Sequence, residues 1–99
     1  MGLGKIVREL RLRKGKGIKS VAPDLGITYS YLSKIENDEV RPSGQLIDRL
    51  AAYFAYDKDR LSLAAGRVPP DLVEILRQHP DDAIALLRER FGARNGNRS

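Results

Sequence analysis

No cysteine occurs anywhere in the chain, which removes disulfides, thiolate zinc sites and a cysteine nucleophile, and nothing points to an oxidising compartment. Histidine is nearly absent as well. His79 stands alone between Gln78 and Pro80, cannot assemble a metal site, and reads as a surface or helix-end residue. No apolar run approaches the roughly 20 residues that span a bilayer. The opening Met1-Gly2-Leu3-Gly4-Lys5 has no signal-peptide core, and no serine or threonine lies four positions after Gly2 for myristoylation. A cytoplasmic chain with no membrane partner is expected. A Gly-rich phosphate loop is missing, the serines have no histidine partner in any recognisable motif, and the carboxylates are scattered, so neither an enzyme nor a bound cofactor or metal is expected. Strand-like alternation, internal repeats and low-complexity blocks are absent too.

What is present suits one compact domain with a small appended element: 99 residues, 41% of them hydrophobic. The net charge of +5 is unevenly spread. Residues 1–66 carry 12 Lys+Arg against 8 Asp+Glu, net +4, and residues 67–99 carry 6 against 5, net +1. The densest stretch runs through Lys5, Arg8, Arg11, Arg13, Lys14, Lys16 and Lys19, opposed there only by Glu9. Such a stretch is either a solvated helix face or a surface turned toward phosphate.

Helical spacing organises the chain. Leu3, Ile6, Val7 and Leu10 share one face of a first helix ending near Lys14; Val21, Ala22 and Leu25 mark a second, closed by Gly26. Thr28 is an N-cap for a third, with Leu32 and Ile35 inward and Tyr29, Ser30, Ser33 and Lys34 outward, stopping near Asn37. Ser43 can cap a fourth helix carrying Leu46, Ile47, Leu50, Ala51 and Phe54, and Asp57 a fifth carrying Leu61, Leu63 and Ala64 up to Gly66. Pro69-Pro70-Asp71 and Pro80-Asp81-Asp82 then open two more, each pairing proline with early acids that suit the helix dipole. These two read as a helical hairpin, and the tail from Gly92 to Ser99, which has no periodicity, is expected to be disordered.

Residues 18–37 meet the demands of a helix-turn-helix, in which two short helices cross closely and still expose one face to the DNA major groove. Val21 and Leu25 bury the second helix, Ala22 is small at the crossing, Gly26 can take a positive φ in the tight turn, and Ile27 plugs the core behind it. The run Gly26-Ile27-Thr28-Tyr29-Ser30-Tyr31-Leu32-Ser33-Lys34-Ile35-Glu36-Asn37, followed by Arg41-Pro42-Ser43, resembles the Xre family of phage Cro/C1-repressor-like regulators. Leu10-Arg11, Val21-Ala22, Leu50-Ala51 and Leu61 extend the likeness over about residues 3–66. It implies an all-α fold, a five-helix lambda-repressor-like DNA-binding domain at residues 1–66; the C-terminal helical hairpin at residues 67–91 lies outside the likeness and rests on its own spacing.

The resemblance also implies roles. Thr28, Tyr29, Ser30, Ser33 and Lys34 fall on the DNA-facing side of the recognition helix, where lysine can donate to guanine and a tyrosine ring can pack on a thymine methyl or donate to phosphate. Asn37 and Arg41 match loop positions that touch phosphate, and Arg11 and Glu36 resemble a partly buried ion pair tying the first helix to the third. Tyr31 lies between core and outer face, open to packing or to DNA contact. Three positions depart from the family. Ile18 stands where a phosphate-binding glutamine is usual; Pro23 falls inside the second helix, which is therefore expected to be short or distorted, or to begin near Ser20; and Asp38-Glu39 replaces glycine and bases, which puts acid close to the DNA backbone.

The hairpin from Pro69 to Phe91 has two apolar faces that need cover, from a second copy, a partner protein or its own domain. A homodimer is the leading expectation, with helix five around Leu61 to Ala65 as a second candidate patch. The function expected is a dimeric repressor reading an inverted repeat in double-stranded DNA. The alternatives are an antitoxin-like or anti-regulator protein whose residues 69–91 bind a protein partner, and a sequence-indifferent nucleic-acid binder.

Overall fold

The computed structural model describes residues 2–92, so the tail expected to be disordered lies, from residue 93 on, outside the described residues. Among the described residues the secondary structure is helical and no strand occurs: α1 (Leu3–Arg13), α2 (Ile18–Leu25), α3 (Tyr29–Glu36), α4 (Gly44–Phe54), α5 (Lys58–Ala64), α6 (Pro70–Gln78) and α7 (Pro80–Phe91). The all-α class, five helices followed by a helical pair, is the one the sequence predicts. The chain divides after Arg67 into two compact units.

In the first unit, each helix contributes the apolar positions its spacing groups together. Val7 of α1, Val21 and Ala22 of α2, Leu32 and Ile35 of α3, Ile47 and Leu50 of α4 and Leu61 of α5 are wholly buried in one cluster. Each large side chain removed from water in this way contributes about 1.5–3 kcal/mol. Side chains close the N-termini of three helices: the hydroxyls of Thr28 and Ser43 and the carboxylate of Asp57 accept from the backbone N–H of Tyr31, Leu46 and Arg60.

The C-termini share a device. After each of α1 to α5 one residue adopts the left-handed conformation: Gly15, Gly26, Asp38, Ala55 and Gly66. At all five the next N–H reaches back over the last turn: Lys16 to the Arg11 carbonyl at 3.3 Å, Ile27 to Ala22 at 3.1 Å, Glu39 to Lys34 at 2.8 Å, Tyr56 to Ala51 at 2.9 Å and Arg67 to Ser62 at 2.9 Å. Gly26, at φ 74°, makes the sharp turn between α2 and α3 without a Cβ in the way. Ala55 makes the same turn at φ 53°, which costs an L-residue about 1–2 kcal/mol. Burial of Phe54 just before it offsets that cost.

Two expectations are corrected. α2 is short, as expected, at eight residues, but it begins at Ile18 and not near Ser20; Pro23 is its sixth residue, so the Lys19 carbonyl has no N–H to accept one turn later. An interior proline costs about 3 kcal/mol; complete burial of Val21 and Ala22 and near-complete burial of Leu25 outweigh it. The apolar patch expected on helix five is also not there, because Leu61 and Ala65 belong to the core and only Leu63 is well exposed.

In the second unit α6 and α7 pack against each other, both with proline in the first turn and acids beside it, Asp71 in α6 and Asp81 and Asp82 in α7. His79 is the residue between the two helices. Neither helix has a buried residue, and Ile75, Ile84, Leu86, Leu87 and Phe91 are all exposed. No helix among the described residues is long and apolar enough to cross a membrane.

Candidate nucleic-acid interface

α3 sorts its side chains by face. Leu32 and Ile35 are wholly buried, which fixes the roll of the helix and leaves Tyr29, Ser30 and Lys34 exposed on the other side, with Ser33 half-buried between. Thr28 holds the start of the helix by accepting the Tyr31 N–H at 3.0 Å, and its hydroxyl hydrogen remains free to donate. Tyr31 is half-buried and packs on the core. The ammonium of Lys19, in the first turn of α2, lies 5.5 Å from the centre of the Tyr29 ring, so a cation and an exposed ring meet where the two helices face the same way. Ile18, in the place of the expected glutamine, is half-buried against the core, and the exposed charge at the start of α2 is that of Lys19.

A buried ion pair sets the tilt of this helix. Arg11 Nε donates to Glu36 Oε2 at 2.6 Å and Nη2 to Oε1 at 2.9 Å, while Nη1 reaches the Lys16 carbonyl at 3.0 Å. The Glu36 side chain is 1% exposed and that of Arg11 10%. The hydrogen bond to Glu36 raises the Arg11 pKa above its ordinary value, assisted by the carboxylate charge and opposed by burial, so the guanidinium stays charged. Bidentate geometry gives the contact direction as well as strength. Gly4 of α1 lies so close to the end of α3 that a Cβ there would stand 2.3 Å from the Glu36 carbonyl oxygen. Contact and ion pair together hold α1 and α3 in one arrangement.

Around that pair lies a second layer that sequence reasoning does not show. Arg8, half-exposed, approaches Glu36 Oε1 with Nε at 3.4 Å and donates through Nη2 to Asn37 Oδ1 at 3.1 Å. Asp38, expected to place acid beside the DNA backbone, instead turns its carboxylate to the start of α1 and accepts the Gly4 N–H at 2.9 Å. A carboxylate is favourable at that helix N-terminus, and aspartate tolerates the φ of 57° better than most residues. Its charge is thus engaged within the fold.

The structure brings Thr28, Tyr29, Ser30, Ser33 and Lys34 together on α3, and Asn37 beside Arg8, Arg11 and Glu36 at its end. Arg41 is placed apart: it is exposed, and its guanidinium lies beside Gly66 after α5, where a Cβ would be 3.4 Å away. Lys19 and Arg8 are the residues the motif did not single out, although both belong to the dense basic stretch. Among the described residues no group of three or more His, Asp or Glu could hold a metal ion.

A family model described as helix-turn-helix matches residues 7–61, from α1 into α5. The HTH-type transcriptional regulator SlrR of Bacillus subtilis (strain 168) is 41% identical over 51 residues, which cover 50% of this chain and 34% of SlrR. The chain therefore spans about a third of that relative's length. No solved structure matches it.

Proposed function

The chain belongs to the Cro/C1-type helix-turn-helix family of DNA-binding transcriptional regulators, and we propose from that premise that it acts as a dimeric repressor reading an inverted repeat in the major groove. The observation that carries the reading is the face of α3: Tyr29, Ser30 and Lys34 stand exposed on a helix whose opposite side is wholly buried and whose end is locked by Arg11 and Glu36. A recognition helix needs that combination, donors turned outward on a support that does not roll. Ser33 and Thr28 add hydroxyls on the same helix, and Asn37, Arg41 and Lys19 supply phosphate contacts around it. Occupancy of promoter DNA is then the mechanism.

Dimerisation is assigned to residues 69–91. α6 and α7 together expose Leu72, Val73, Ile75, Ile84, Leu87 and Phe91, an apolar surface that a second copy would cover. Two-fold symmetry in the protein then matches half-sites one helical turn, about 34 Å, apart. The same exposed surface supports a second reading, an antitoxin-like or anti-regulator role in which residues 69–91 bind a different protein and DNA binding serves autoregulation. A partner that co-purifies in a fixed ratio, in place of a homodimer, decides for it.

Lys34→Ala tests the base-reading role of α3. The variant is expected to bind a preferred duplex more weakly and to lose discrimination at one base pair by about 1–3 kcal/mol, measured against single-substitution duplexes at fixed salt. A uniform loss over all duplexes would make Lys34 a phosphate contact instead.

A further inference from the structure

We propose that Arg8 is a positioning residue that turns the Asn37 amide so that its NH2 group, not its oxygen, faces the DNA backbone; the inference rests on the DNA-binding reading above. A guanidinium carries five donors and no acceptor, so the atom of Asn37 that faces Arg8 Nη2 at 3.1 Å is the oxygen, Oδ1. The planar amide then directs Nδ2 away from Arg8. Asn37 is exposed and closes α3, so that NH2 group is presented outward at the end of the recognition helix. A phosphate oxygen only accepts; an amide rotated the other way would set oxygen against oxygen.

Arg8 is itself held for this task. Its Nε lies 3.4 Å from Glu36 Oε1, and Glu36 is fixed in turn by the two bonds from Arg11. One buried carboxylate therefore anchors two guanidinium groups, the inner one locking α1 to α3 and the outer one reaching past it to Asn37. The span Arg8 to Asn37 is 29 residues in sequence, so the contact exists only when α1 and α3 are correctly docked.

A double-mutant cycle on a duplex bound by the wild-type chain tests the inference. Arg8→Met and Asn37→Ala are each expected to weaken binding about 3–10-fold, the scale of freeing one side chain at an interface, and the double variant to bind no worse than either single one. The salt dependence of Arg8→Met should keep the wild-type slope. Additive losses, or a slope of log K against log salt shallower by about 0.9, would mean that Arg8 touches phosphate independently and would overturn the proposal. A measurement without DNA separates the proposal from the reading it rests on. Side-chain 15N relaxation should show the Asn37 NH2 group ordered in the free wild-type chain and mobile in Arg8→Met; equal mobility in both overturns it. An ordered amide in a chain that binds no duplex would instead reject DNA binding, and the role of Asn37 on DNA with it.

Discussion

Replacing Glu36 by alanine is expected to cost about 3–5 kcal/mol of folding stability, the scale for breaking a buried pair by removing one partner. The loss exceeds that of an ordinary surface charge because Arg11, with its side chain only 10% exposed, would keep its charge and lose both strong acceptor contacts, and Arg8 would lose its anchor. At the typical 0.05–0.15 kcal/mol per residue the first unit has about 3–10 kcal/mol in hand, so the variant should lose a large share of its stability and unfold at much lower urea than the wild type. Urea denaturation followed by circular dichroism measures it. The double variant Arg11→Met with Glu36→Leu supplies the control: with no charge left at the inner pair, it should recover most of the loss. A cost below about 1 kcal/mol for Glu36→Ala would mean that the pair is screened by solvent and does not hold α3.

The second large effect is expected at the other end of the chain. Ile84 and Leu87 lie one turn apart on α7, 40% and 48% exposed, and aspartate at both places charges where a dimer would have to bury them. The doubly substituted chain should sediment as a monomer while its first unit keeps its helices, since α1 to α5 form their core without the hairpin. Binding to a two-half-site duplex should then fall about 10²–10⁴-fold, the factor that linking two sites contributes when both can be engaged at once. Binding to a single half-site should change little. An unchanged dimer mass would remove the hairpin from the interface.

The parts of this fold that are legible in the sequence are those decided within one turn or one helix. Thr28, Ser43 and Asp57 each cap the helix that follows because a short polar side chain need only reach an N–H three residues on. Leu32 and Ile35 point inward because they are three apart on a helix whose other face is polar. Pro23 misleads for the complementary reason: its local cost argues for a later start to α2, whereas the burial that outweighs it comes from other helices. Leu61 and Ala65 mislead in the same way, since periodicity groups apolar residues without telling a core face from an exposed patch.

The site divides along the same line. The outward residues of α3 follow from spacing, whereas the task of Asp38 depends on a contact 34 residues away in sequence. Read locally, an acid after Asn37 is a liability near DNA. In the folded chain it caps α1, and it adopts the left-handed turn that a glycine would otherwise make. Arg8 is likewise one base among many until α1 lies against α3 and its neighbours are Glu36 and Asn37. Basic residues in a run carry no mark of which are solvated and which are anchored; only the docking of helices separates them.

Selection of the purified full chain against a random duplex library at physiological salt, with sequencing of the bound pool, tests the central claim most directly. An inverted repeat whose half-sites are centred one helical turn, about 34 Å, apart should be enriched. A bound pool with no preferred sequence would contradict the claim.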